Sequence, residues 1–471
     1  MIRLLSTFNK DYRKLNNVKV QINNQGLGIS PLGVNIQAFV IALLFVIVLA
    51  SNNVVLADVS LQQLINQTPE NGTLHLEDKT YEGNIVISSP ITIIGTEKTV
   101  IKGEDKGNVI TVKSSLVTLE NLTVTNSGQD RNSGEEYAAI KVMEDKNTIK
   151  NIRIKDSFHG VYLSQAHENQ ISNVSVIGRQ NGEIAGQGNG LHLYYSNNNV
   201  LTNNHIEGTR DGIFFDYSNE NVSKGNNIQH TRYGLHYMYS DDNEFYENKF
   251  SYNLGGAAIM ESRRTVLKNN QFTLNQGTRS YGLLLQSADD SVVMENMFFQ
   301  NQRGIYVDQA QENIIKDNEF LQNQIGIEVW ASSSNQVFSG NHFSNNIAAV
   351  LALGGKDKNQ WFETERGNYW DNSVPVLDLD QNGIGDYSVA YKSSLYQLVE
   401  ENELAYLFLK SPAIKIYEKM NEVLNKKEVM VTDQYPLIEN GTKVDNSYLL
   451  LVGSLLLVII GSVYVKRRRE Q

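Results

Sequence analysis

From Ala138 to Gly355 the chain repeats one short pattern of apolar and polar positions. A small residue opens each unit, apolar side chains stand one and three places on, and variable or polar ones stand two and four places on. Ile213 and Phe215 follow Gly212 in this way, as do Leu283 and Leu285 after Gly282, Ile305 and Val307 after Gly304, and Ile327 and Val329 after Gly326. A period of two means a strand with one buried face. The small residues fall at Ala138, Gly160, Gly190, Gly212, Gly234, Gly256, Gly282, Gly304, Gly326 and Ala348, in steps of 22 apart from one of 30 and one of 26. An asparagine column runs in phase through Asn204, Asn226, Asn248, Asn270, Asn296 and Asn318, often as Asn-x-Phe. Self-similarity at this period marks a solenoid. Turn-forming Asn, Gly, Ser and Asp fill the spaces between strands. The pattern predicts an all-β fold, a right-handed parallel β-helix with one coil of about 22 residues per repeat and coils about 4.8 Å apart. Each coil then buries its apolar side chains against its neighbours, and the asparagines pair amide to backbone or amide to amide along the stack.

The rest of the chain divides around this block. Residues 1–57 read as a secretory signal: a basic stretch, the apolar run 38–50, then Val55-Leu56-Ala57. An uncleaved anchor is the competing reading. Residues 58–137 form an N-terminal cap and first irregular coils, with a short helix at Leu61–Ile65 and strands near Asn84–Ile87, Ile91–Ile94, Val109–Val112 and Val117–Val124. Residues 138–355 are the regular repeats; polar insertions at 128–136, just before them, and at 178–190, within them, are expected on the working face. Residues 356–392 are an Asp/Asn-rich cap and 393–447 a helical linker broken at Pro412. Tyr448–Val465 is apolar throughout and is followed by the basic tail 466–471, which reads as a membrane-spanning helix with its basic end in the cytoplasm. The expected location is the cell membrane, with the β-helix on the extracytoplasmic side.

Composition narrows the chemistry. The net charge is −11, which argues against a nucleic-acid partner. Cysteine is absent, so disulfides, thiolate catalysis and thiolate metal sites are excluded.

If the odd positions of each strand point inward, the even ones point out. One outer face then gathers His192, His236, Met238, Met260 and Asp216 among aromatic neighbours. Imidazole and thioether together suit copper, the thioether especially Cu(I); scattered surface residues, or an aromatic-rich contact patch, are the plainer readings. His192 and His236 lie two coils apart, about 10 Å. Among outward acids only Asp308 and Glu328 lie on neighbouring coils, so the case for sugar cleavage by paired carboxylates is thin. Asp378, Asp380, Asn382 and Asp386 sit in an Asp-x-Asp-x-Asn-Gly loop like the first half of a calcium-binding EF-hand, with Val389 where the bidentate Glu belongs. A turn capping the β-helix reads as well there as a bound calcium.

The stretches Arg210-Asp211-Gly212-Ile213-Phe214-Phe215-Asp216 and Arg232-Tyr233-Gly234-Leu235-His236-Tyr237-Met238-Tyr239-Ser240, with Asn368-Tyr369-Trp370-Asp371 and the Asp378–Asp386 loop, resemble the NosD family of nitrous oxide reductase maturation proteins. The resemblance covers about residues 58–440. It implies an extracytoplasmic β-helix docked on the permease and ATPase subunits of an ABC transporter, with a copper-supplying lipoprotein as partner. The implied task is copper delivery to nitrous oxide reductase, without catalysis by the chain itself. The C-terminal membrane helix departs from the pattern of periplasmic members. The alternative function is a surface carbohydrate-binding or polysaccharide-cleaving β-helix.

Overall fold

The computed structural model describes residues 59–438, except 180–182 and 372–373. The signal reading of 1–57, the membrane-helix reading of 448–465 and the basic tail 466–471 lie outside the described residues. Among the described residues no helix is long and apolar enough to cross a membrane.

The chain enters through helix α1, Leu61–Gln67, whose Ser60 and Gln63 close a reciprocal capping box and whose Leu61 and Ile65 are buried. It then winds into a right-handed parallel β-solenoid. One face is a twelve-stranded parallel sheet in chain order. Its strands are β1 (Ile85–Ile87), β2 (Ile110–Val112), β3 (Ala138–Val142), β4 (His159–Ser164), β5 (Leu191–Tyr194), β6 (Asp211–Asp216), β7 (Tyr233–Met238), β8 (Gly255–Arg263), β9 (Tyr281–Asp289), β10 (Arg303–Asp308), β11 (Ile325–Trp330) and β12 (Ala348–Leu353). The remaining short strands of each coil pair in parallel with their equivalents one coil on, as Glu244–Tyr246 does with Val266–Lys268.

The alternation read from sequence sets the inside of the tube. Ile213, Phe215, Leu283, Leu285, Ile305, Val307 and Ile327 are fully buried. Phe250, Phe272, Phe298, Phe320 and Phe343 stack face to face at 4.9–5.2 Å along the axis. Beside them the asparagine column forms an unbroken ladder. Asn248 Oδ1 accepts from Asn226 N and Nδ2, and Asn248 Nδ2 donates to Asn270 Oδ1 and Ser223 O. A buried turn needs such partners for its backbone amides.

The glycine column exists because the next coil leaves no room for a side chain. A Cβ on Gly212 would meet Gly234 O at 2.4 Å and Ile228 Cγ2 at 2.3 Å. The ends of this column are corrected by the register. Gly326 faces Ala349, not Ala348, because Ile325 pairs with Ala348 and Ile327 with Val350. At the other end Val161 pairs with Ile140, which puts Ala139 rather than Ala138 opposite Gly160. In both places the spacing departs from 22.

The far end is closed by a hairpin of distant strands, β13 (Val389–Ser393) and β14 (Glu428–Asp433), paired antiparallel. Between them run α2 (Leu395–Glu401), a 3-10 turn at Glu403–Phe408 and α3 (Pro412–Val423). Pro412 opens α3 instead of breaking a helix, as suits a residue without an N–H. Asp433 ends the asparagine ladder: its Oδ2 accepts from Asn368 N and Trp370 Nε1.

Candidate functional site

The outward column on strands β4–β11 reads Tyr162, His192, Phe214, His236, Ala258, Leu284, Tyr306 and Glu328, each the register partner of the next. Alternation alone puts these side chains in solvent. Five of the eight (Tyr162, His192, Ala258, Leu284 and Glu328) are buried instead. The outer surface of this sheet carries its own covering. At one end Glu136 and Asn189, each from the end of an insertion, meet His159 and His192. At the other it is the segment after the solenoid, which reaches it through Tyr406. In the middle Ala258, Tyr281 and Leu284 form a small apolar cluster of their own, against which Tyr233, Met260 and Tyr306 pack.

His236 is the best-prepared group on this face. Its Nδ1 lies 3.0 Å from Asp211 Oδ2. Asp211 is 1% exposed and is also held by Arg232, Nε to Oδ1 at 2.8 Å and Nη2 to Oδ2 at 2.6 Å. Burial pushes the Asp211 carboxyl up, but the hydrogen bonds from His236 and Arg232 outweigh it and hold it below the ordinary carboxylate range. An ionised Asp211 accepts only, so the neutral form of the His236 ring carries its proton on Nδ1 and presents Nε2 as the acceptor. A carboxylate behind an imidazole is the usual arrangement behind a metal-binding histidine. The ring stacks on Phe214 at 4.4 Å and 11°.

Two places along the same strand is Met238, and its register partners on either side are Asp216 and Met260. All three are half-buried. Burial raises the Asp216 carboxyl above its usual value, against the pull of nearby His236. The structure therefore brings His236, Met238, Met260 and Asp216 to one patch. It does not bring His192 there. Phe214 lies between the imidazoles, 4.7 Å from His192 and 4.4 Å from His236, so one ion cannot touch both. His192 is 7% exposed, and burial holds its pKa well below the ordinary histidine value. Its neighbour is His159, at 5.3 Å between ring centroids.

Glu328 is not an outward acid available for chemistry. It is 1% exposed and accepts from Arg303 Nε at 2.7 Å and Tyr406 OH at 2.7 Å. The loop oxygens of Asp378, Asp380 and Asp386 are taken up by the loop itself: Asp378 accepts from Asn382 N and Gly383 N, Asp380 from Asn382 N, and Asp386 from Leu379 N. These bonds are those of an Asp/Asn turn.

Sequence reasoning missed Asp211 and Arg232, although both stand immediately before a column glycine or one place earlier, where a polar residue has a structural reason. It also missed Glu136 and His159, whose meeting depends on how an insertion folds back.

Two family models match. Residues 86–250 match a right-handed beta helix region. Residues 176–374 match NosD, described as a periplasmic copper-binding protein. The likeness to NosD is carried by this segment. It contains the whole His236–Met238–Met260 patch together with Asp211 and Arg232, while Glu136 and His159 lie before it. No curated protein matches the chain. Solved structures with similar folds include an alginate lyase from Paenibacillus sp. str. FPU-7, at 16% identity over 50% of this chain and 91% of that one, with a TM-score of 0.41. The periplasmic alginate epimerase AlgG shares 13% over 64% of this chain and 82% of that one, with a TM-score of 0.44. The A-module of the Azotobacter vinelandii mannuronan C-5 epimerase AlgE6 shares 15% over 62% and 90%, with a TM-score of 0.39.

Proposed function

We propose that the chain is a copper-handling accessory protein that works outside the cytoplasm in the maturation of nitrous oxide reductase. In this reading copper is cargo. It arrives from a copper lipoprotein and leaves toward the reductase, with an ABC transporter as the membrane partner. The NosD match over residues 176–374 supports the copper assignment. The observation that carries it to particular atoms is His236, its Nδ1 tied to buried Asp211, with Met238 two places along the same strand and Met260 the register partner of Met238. An imidazole with thioethers and no thiolate favours Cu(I), and the modest donor number suits an ion that must be passed on. No reaction is assigned to the chain.

Two experiments test the reading. Deleting the gene is expected to leave nitrous oxide reductase without its catalytic copper; a fully loaded, active reductase in the deletion strain overturns the role. Replacing His236, Met238 and Met260 together is expected to abolish Cu(I) binding at this patch, and unchanged titration removes the patch from the proposal.

A carbohydrate reading has one observation in its favour. Tyr195, Tyr217 and Tyr239 form an exposed row with Gln165, His167, Asn197 and Asn219 along an open groove of about 440 Å³. The rings stack on one another at 4.8 and 4.9 Å, so they offer edges and hydroxyls rather than the open faces on which sugars stack. Glycan binding lost on replacing Tyr217 with serine would revive it.

A further inference from the structure

We infer that Glu136, His159 and His192 form a binding site for a borderline divalent cation, distinct from the His236 patch and beside Asn189. The inference does not rest on the copper reading. The ligand atoms of these three side chains all lie within 4.8 Å of one another, and they are the only such group of three among the described residues. His192 Nε2 is buried without a hydrogen-bond partner, and so is Asn189 Oδ1 beside it. A buried polar atom left unpaired costs about 1–3 kcal/mol, so His192 Nε2 calls for an occupant. Glu136 is 41% exposed on its side chain and gives the site an opening to solvent.

The donor set is two imidazoles and one carboxylate with no sulfur, which suits Zn(II) or Cu(II) and not Cu(I). Donors at about 2.1 Å from one ion stand at most about 4.2 Å apart. The site therefore contracts slightly as His192 moves in. The Glu136–His159 pair, now 2.7 Å between Oε2 and Nε2, must spread.

Protons are conserved in the following way. His159 Nδ1 accepts from Asn189 N–H at 2.9 Å, so the neutral ring donates from Nε2 to Glu136. The ion takes the place of that proton, which moves to Nδ1, and Asn189 N–H gives up its acceptor. His192 needs only the Asn189 side-chain amide turned so that Oδ1 faces Nδ1, now 3.4 Å from Nδ2. Nδ1 then carries the proton and Nε2 is bare. No net proton is released, and the closing end of the 178–190 insertion becomes the reporter of occupancy. Lys141 and Arg210 both act electrostatically on Glu136, so they weaken the site for a cation.

The test is titration of the full chain in detergent with Zn(II), followed calorimetrically, and with Co(II), followed by its d–d absorption. One ion per chain is expected. Glu136→Gln and His192→Ala should each weaken it about a hundredfold, whereas Arg210→Gln should tighten it. Amide exchange at Asn189 should quicken when Zn(II) is bound. Should His192→Ala fail to fold, Glu136→Gln, on a half-exposed side chain, decides alone. No stoichiometric Zn(II) binding, unchanged affinity in Glu136→Gln, or loss on replacing His236 instead would each overturn the proposal.

Discussion

At Arg303 and Glu328 the outer face of the sheet carries a buried ion pair; at His159, His192 and His236 it carries three imidazoles. Strand geometry and register are the same in both stretches, and both are covered by chain from outside the repeat. They differ in what the covering does. At the ion pair every donor is answered. Glu328 accepts from Arg303, Tyr406 and Trp330, and the guanidinium lies 4.1 Å from the Tyr406 ring centre and 5.2 Å from that of Tyr306. Nothing is left for a ligand, and the network pins the C-terminal segment to the sheet. At the imidazoles the covering leaves His192 Nε2 unpaired, while Asp211 holds His236 Nε2 ready. One stretch is a fastening and the other has binding capacity to spare.

The largest effect separating them is expected at the fastening. Glu328→Leu strands the Arg303 charge in a buried place, which costs about 3–5 kcal/mol. Replacing both partners, Arg303→Met with Glu328→Leu, should return most of that, because the desolvation penalty goes with the pair. Urea unfolding of the two variants measures this. A single variant within experimental error of the parent would mean that Tyr406 holds the segment without the charges.

Next in size is a rung of the asparagine ladder, the feature common to both stretches. Asn248→Ala leaves Asn226 N–H and Ser223 C=O without partners inside the tube. Each such orphan costs about 1–3 kcal/mol. The loss should appear in the unfolding midpoint and as faster amide exchange at Asn226. If the midpoint does not move, water has entered the column.

This contrast also shows why part of the molecule was legible in its sequence and part was not. The coil, its two-residue alternation and the Asn-x-Phe columns are local and repeated, so each coil confirms the others. Ile213 inward and His236 outward follow from parity alone. What parity cannot give is whether an outward residue meets water. His192 and Glu328 are buried by chain that is not in the repeat: an insertion with no period, or Tyr406, 78 residues beyond Glu328. The link from Asp211 to His236 crosses a strand and 25 residues; both residues lie in the motifs quoted for the family resemblance, but their pairing needs coordinates. The column's last members were misplaced by one residue, Ala348 for Ala349, because a constant step fails where the cap changes the turn.

The third effect concerns the binding stretch alone. Asp211→Asn removes the charge that fixes the His236 proton on Nδ1. Cu(I) affinity should fall about tenfold, as for a lost partner behind a metal ligand. Asp216→Asn, which leaves that tautomer untouched, should change it less. Competition titrations with a chromogenic Cu(I) chelator compare the two, and equal losses would indicate that Asp216 itself is a ligand.

The smallest effect, and the one that distinguishes the two aspartates without any metal, is their pH dependence. Asp211 has its folded pKa below the ordinary value, so it contributes stability above the unfolded carboxylate pKa of about 3.9. That contribution is lost as pH falls through the lower folded value. Asp216 is shifted the other way by burial. Its ionised form is penalised at neutral pH, and the penalty is relieved as pH falls through the raised folded value, before the unfolded one is reached. Thermal unfolding from about pH 7 down to about pH 3 should therefore show opposite signatures. Asp211→Asn is less stable than the parent at neutral pH and converges with it in acid. Asp216→Asn is the more stable at neutral pH, and its advantage disappears in acid. Parallel curves for the two variants would show that Asp211 is not held as an anion, and would remove the basis for a free Nε2 on His236.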